Sequence, residues 1–203
     1  MSLVREYDFF ERMNELQETR RWEIWDAAFS ESVSEHAYKM IVMVDRLFDV
    51  LELDLDYRKC VRMAMYHDLG EMGLDNDTAA YDAAMEAGVM EEAKKREAEK
   101  VREIAEKYKC PKIFGVWREY EKQATPEARF VGATDKLEST VRAITVKDAK
   151  LVNADFMASY CDDAVRKFPR LIPFYRVVKE RMRERFEAQG LEWKKEYDAL
   201  SED

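Results

Sequence analysis

The stretch "SVSEHAYKMIVMVDRLFDVLEL", Ser32 to Leu53, decides the fold class. Its apolar residues Ala37, Met40, Ile41, Val44, Leu47, Phe48 and Leu51 recur three and four positions apart, the spacing of a helix with one face turned to a core. Ser32 and Glu35 open it as an S-x-x-E capping box, in which each side chain satisfies the other's backbone N–H; Ser34 is an alternative cap. That start sets His36 in the first turn, one turn before Met40.

The same periodicity runs outward from this segment. A second helix is expected over about residues 56–70, carrying "MAMYHDLGE", Met63 to Glu71. On it Cys60, Ala64, His67 and Glu71 fall on one line and Val61, Met65 and Asp68 on its neighbour. The His67–Asp68 pair therefore sits on the stripe that faces the core, where an uncompensated carboxylate costs several kcal/mol. A loop follows, "MGLDNDTAAYDAAMEAG". Next comes the charged helix "VMEEAKKREAEKVREIAEKY", with a narrow stripe of Val101, Ile104, Ala105 and Tyr108 and local Glu/Lys pairs on its solvated face. "KIFGVWREYEKQ" reads as a shorter helix. "TPEARFVGATDKLESTVRAI" opens with Thr125 as cap and Pro126 at the first helical position. Its stripe is Phe130, Val131, Thr134, Leu137, Val141 and Ile144, with Asp135 beside it. "FPRLIPFYRVVKERMRERFEAQG" is the last amphipathic helix. Neither a strand-like alternation nor an internal repeat is visible, so the expectation is an all-α, single-domain helical bundle over residues 1–203.

The composition narrows the function. A chain of 203 residues, 47% hydrophobic and 38% charged, suits one buried core. Asp45, Arg46 and Asp49 interrupt the most apolar run, which excludes a membrane span. The charged start "MSLVREYDFFERM" does not read as a signal peptide. Cys60, Cys110 and Cys161 are odd in number and widely spaced, which argues against a disulfide framework and a zinc-thiolate site and for a reducing cytoplasm. The net charge of −9 argues against long nucleic acid as a partner, because polyanions need a basic face. A small anion needs only one or two local arginines.

His36, the His67–Asp68 pair and Asp135 thus bring two imidazoles and two carboxylates toward the interior from three helices. This donor set suits one divalent first-row metal. The carboxylates would otherwise repel and raise one another's pKa, and a dication removes that penalty. Four protein ligands leave open positions for water and a substrate oxygen.

In these residues the sequence resembles the HD-domain metal-dependent phosphohydrolases, and more closely their 5′-deoxynucleotidase branch. "RRW", "VSEH", "MYHDLGE" and "EYEKQATPEARFVGATDKLE" carry the likeness in order, over roughly residues 5–145, with the core motifs at about 20–145. The resemblance implies that His36, His67, Asp68 and Asp135 bind the metal, whose identity among manganese, cobalt, iron, nickel and zinc is open. It implies that Glu71 orients or deprotonates the attacking water, and that Arg21 and Trp22 contact the phosphate and the sugar–base part of a small nucleotide. Where the family usually has an aspartate five residues after that glutamate, this chain has Asn76, flanked by Asp75 and Asp77. The following "DTAA" looks like the family loop displaced by one residue, which favours Asp77 as the acid for the leaving group or the carboxylate for the sugar. The usual proline of that loop is missing. The expected activity is removal of the 5′-phosphate from (deoxy)nucleoside monophosphates. Alternatives are a nucleoside triphosphohydrolase or phosphodiesterase on the same metal site, or a catalytically weak nucleotide-binding regulatory protein. A homodimer is implied by the resemblance alone. The segment at about 149–190 is expected to complete the bundle or form an interface.

Overall fold

The computed structural model describes residues 3–21, 30–73, 87–145 and 154–200. They are helical almost throughout: α1 (Leu3–Arg12), α2 (Glu15–Glu18), α3 (Val33–Val50), α4 (Tyr57–Tyr66), α5 (Ala87–Lys107), α6 (Pro111–Lys122), α7 (Pro126–Thr145), α8 (Ala154–Ser159), α9 (Asp162–Lys167) and α10 (Ile172–Ala188). Short 3₁₀ turns lie at Leu69–Glu71, Pro169–Leu171 and Lys195–Asp198. The expected all-α class holds. One antiparallel ribbon interrupts it, β1 (Arg20–Arg21) against β2 (Glu31–Ser32), with Arg20 opposite Ser32 and Arg21 opposite Glu31. Two residues per strand are too few to leave a period-two signature.

The chain divides into two compact units, Met1–Lys39 with Arg62–Lys122 and Met40–Val61 with Gln123–Asp203. In the first, Leu16, Val33, Leu69, Met72, Val101, Ile104, Tyr108, Ile113 and Trp117 form the core, with Phe9, Tyr66 and Phe114 packed on it. The stripe read from the charged segment, Val101, Ile104, Ala105 and Tyr108, is buried. In the second unit α7 packs against α9 and α10. Phe130 meets Phe48 and Phe168 at ring separations of 6.4 and 5.4 Å. Thr125 caps α7, its Oγ1 accepting from the Ala128 N–H at 3.3 Å.

Three expectations change. Helix α4 ends at Tyr66, so His67 and Asp68 lie in the turn after it and not inside a helix reaching Gly70. The reason is local: the Ala64 carbonyl, which a continuing helix would pair with the Asp68 N–H, accepts a hydrogen bond from His67 Nδ1 at 2.9 Å. The line of Val61 and Met65 does not face the core, since Met65 is exposed and Met63 is buried. Helix α7 is buried almost all round, from Val131 to Asp135 and from Leu137 to Thr140, and not only along one stripe.

Candidate metal centre

The site is built where the ribbon, the start of α3 and the end of α4 meet within the first unit. The capping box forms as expected: the Glu35 N–H donates to Ser32 Oγ at 3.1 Å and the Ser32 N–H to Glu35 Oε2 at 2.7 Å. This fixes the rotation of the first turn of α3 and with it His36, which is fully buried. His36 Nε2 lies 3.1 Å from His67 Nε2 and 3.6 Å from Asp68 Oδ2, and His67 Nε2 lies 3.1 Å from the same oxygen. Three donor atoms thus converge on one point.

The chemistry of these atoms fits a cation. A carbonyl oxygen can only accept, so the contact with Ala64 places the proton of a neutral His67 on Nδ1 and leaves its Nε2 as a lone pair. Two imidazole nitrogens and a carboxylate oxygen at these separations are the donors that a first-row divalent ion takes, and both histidines belong to a group of side chains able to hold a metal ion. Burial alone would raise the pKa of the Asp68 carboxyl, but His67 when protonated, the Arg21 guanidinium and a protonated His36 outweigh it and hold that carboxyl well below the usual carboxylate range. Arg21 Nη1 donates to Asp68 Oδ2 at 2.8 Å.

The structure therefore brings together His36, His67, Asp68 and Arg21. Glu71 ends the 3₁₀ turn after the pair, its N–H donating to the Asp68 carbonyl at 3.0 Å and its own carbonyl accepting from Thr19 Oγ1 at 3.4 Å. Asp135 is buried on α7, with Oδ2 2.9 Å from Lys136 Nζ. Trp22 and Asp77, like Asp75 and Asn76, lie outside the described residues. Two residues at the site were missed in the sequence. Tyr120 on α6 sets its ring edge-on to His67, with centroids 5.5 Å apart. Glu31, buried on β2, turns Oε1 toward His36 Nδ1 at 3.9 Å and pairs through Oε2 with Lys39.

Known proteins match much of the chain. Residues 13–168 match the family described as HD domain, and the chain belongs to that family. Among curated relatives, 5′-deoxynucleotidase HDDC2 of Homo sapiens is 33% identical over 121 residues, 58% of this chain and 55% of that protein. The protein of the same name from Dictyostelium discoideum is 30% identical over 174 residues, 79% of this chain and 88% of its own length. The chain spans about half the length of the vertebrate relatives it matches, 54% for that of Danio rerio. Among solved structures, the PH0347 protein from Pyrococcus horikoshii OT3 superimposes with a TM-score of 0.71 at 21% identity, covering 87% of this chain and 98% of that one. A conserved hypothetical protein from Pyrococcus furiosus gives 0.67 at 22% identity, over 88% and 99%. These likenesses carry the fold. Among the described residues no helix is long and apolar enough to cross a membrane, and all three cysteines are free thiols.

Proposed function

We propose that the chain is a metal-dependent phosphohydrolase that removes the 5′-phosphate from deoxynucleoside monophosphates, acting as a single HD domain over residues 1–203. The observation that carries this reading is the convergence of His36 Nε2, His67 Nε2 and Asp68 Oδ2 within 3.1 to 3.6 Å, in a chain whose relatives are named 5′-deoxynucleotidases. His36, His67, Asp68 and Asp135 would hold one divalent ion, manganese, cobalt, iron, nickel or zinc. Such an ion supplies charge neutralisation at the phosphoryl group and a more acidic water.

The chain's own residues do the rest. Arg21 is held on Asp68 through Nη1, and a guanidinium has five N–H donors, so the same side chain offers others to phosphate oxygens. Trp22 offers a flat face to the nucleoside. Glu71 takes the proton of the attacking water, and Asp77 returns one to the departing 5′-oxygen. The products are a deoxynucleoside and orthophosphate, with no covalent intermediate. The setting is a reducing cytoplasm and the working form a homodimer.

The test is phosphate release from deoxy- and ribonucleoside monophosphates by EDTA-stripped protein with one divalent metal restored at a time. Release that depends on the metal, prefers deoxynucleotides and is abolished in Asp68→Asn is the expected result. Folded, metal-loaded protein that releases no phosphate from any of them would overturn the reading. Triphosphate released from a nucleoside triphosphate would replace it with a triphosphohydrolase.

A further inference from the structure

Glu31 is a carboxylate with a side chain only 4% exposed, and burying such a group is costly unless its oxygens are compensated. Oε2 is accounted for by the ion pair with Lys39. Oε1 points elsewhere, to His36 Nδ1 at 3.9 Å. The other ring nitrogen of His36 is the one facing His67 and Asp68. Each histidine of the site therefore has an oxygen behind its Nδ1: the Ala64 carbonyl in a hydrogen bond to His67, and the Glu31 carboxylate in an electrostatic contact with His36.

We infer that Glu31 is a positioning residue that sets the tautomer and ring orientation of His36. The inference rests on the proposed metal centre and extends it to a residue outside the ligand set. The separation is that of an electrostatic contact, and its effect is on proton placement. A negative oxygen beside Nδ1 favours the proton on that nitrogen and leaves the Nε2 lone pair directed at the point where His67 and Asp68 converge. The ribbon makes this contact and the Arg21 contact together. Arg21 and Glu31 are register partners, so one pair of residues places a guanidinium on Asp68 and a carboxylate behind His36.

The chain has two histidines in all, which makes the test clean. Nitrogen-15 labelling of histidine and long-range proton–nitrogen correlation spectra of the metal-free protein read both tautomers directly. The wild type is expected to show both rings protonated at Nδ1. In Glu31→Met, His36 is expected to lose that preference while His67 keeps it, and the affinity for Mn²⁺ or Zn²⁺, measured by calorimetry, to fall about 10- to 100-fold, the range for partners that orient metal-binding histidines. His36 still protonated at Nδ1 in Glu31→Met overturns the inference. If Glu31→Met does not fold, the isosteric Glu31→Gln decides: a several-fold loss of metal affinity supports the inference, and wild-type affinity overturns it. Neither readout uses a nucleotide, so failure of the nucleotidase reading would show separately, as metal binding without phosphate release.

Discussion

Gly70→Ala tests how tightly the turn bearing His67 and Asp68 is held against α5. Gly70 lies in the 3₁₀ turn directly after the pair, and a Cβ there would stand 2.7 Å from Glu97 Cβ and 3.0 Å from Glu97 Cα. Its φ is not positive, so alanine can adopt the backbone and the penalty is steric. The neighbour is the backbone and first side-chain atom of a helix in mid-course, which no rotamer change can move. Forcing an extra methyl group into such a contact costs about 1–3 kcal/mol, and at about 2–4 °C per kcal/mol for a chain of this size the melting temperature should fall by about 2–12 °C. Gly115 on α6 supplies the opposite case, because a Cβ there meets nothing within 4 Å. Gly115→Ala should be stabilising by about 0.5–1 kcal/mol, from helix propensity alone. Urea and thermal unfolding of both variants, with metal titrations on each, separate the effects. Metal affinity should drop in Gly70→Ala, where α5 pushes back on the turn, and stay at the wild-type value in Gly115→Ala. Gly70→Ala melting at or above the wild-type temperature would refute the close approach on which the reasoning stands.

Other residues give further tests. Ser32→Ala removes the cap of α3 and should cost about 1 kcal/mol in urea unfolding; no change would mean that the capping box contributes nothing. Burial pushes the Cys60 and Cys161 thiols up to about 12, while Cys110 is only half-buried. An Ellman titration of native protein at pH 8 should therefore find one thiol quickly and the other two only on unfolding; three fast equivalents would contradict it. On α7, burial alone would raise the pKa of Glu127, but hydrogen bonds from its own backbone N–H, from Lys59 and from Asp56 outweigh this and lower it. A carboxyl with its folded pKa below its unfolded one stabilises above the unfolded value and loses that contribution as pH falls. Glu127→Gln should thus be less stable than the wild type at pH 7, with the gap closing as pH drops through and below the ordinary glutamate range of about 4.3. A gap independent of pH would assign the loss to packing.

What the sequence made legible was whatever is written locally and repeated. Helix α3 announces itself through a capping box and a sustained apolar stripe, and both the cap and the buried positions Met40, Val44 and Leu47 are found where the spacing puts them. The end of α4 is different. Periodicity carries Cys60, Ala64 and His67 smoothly along one face, and nothing in it signals that His67 bonds back to the Ala64 carbonyl where the helix stops. The signal would have been chemical: a histidine three residues after an available carbonyl and three before a glycine. Helix α1 has none of its side chains buried, and helices α8 and α9 are six residues each, too short for the three-four pattern to repeat.

The residues around the proposed metal ligands are harder to read than those ligands, and the reason is physical. A histidine or an aspartate on a core-facing stripe is conspicuous by itself, because burial of that type needs explaining. Glu31 follows a masking pattern: it precedes the capping serine, where an acidic residue near a helix start needs no special cause. Its burial depends on Lys39 eight positions on and His36 five positions on, and neither spacing is a helical neighbour relation. The ribbon that carries it is equally silent in sequence, yet its register is exacting. Side chains alternate between the two faces of a strand, so a slip of one residue would turn Arg21 away from Asp68 and Glu31 away from His36 at once. Arg20 on the opposite face is tied down by hydrogen bonds to the side chain and carbonyl of Ser30, contacts that hold against such a slip. A ribbon of two residues per strand thus sets the two charges flanking the converging histidines, and the pattern of helices that defines the fold contains no trace of it.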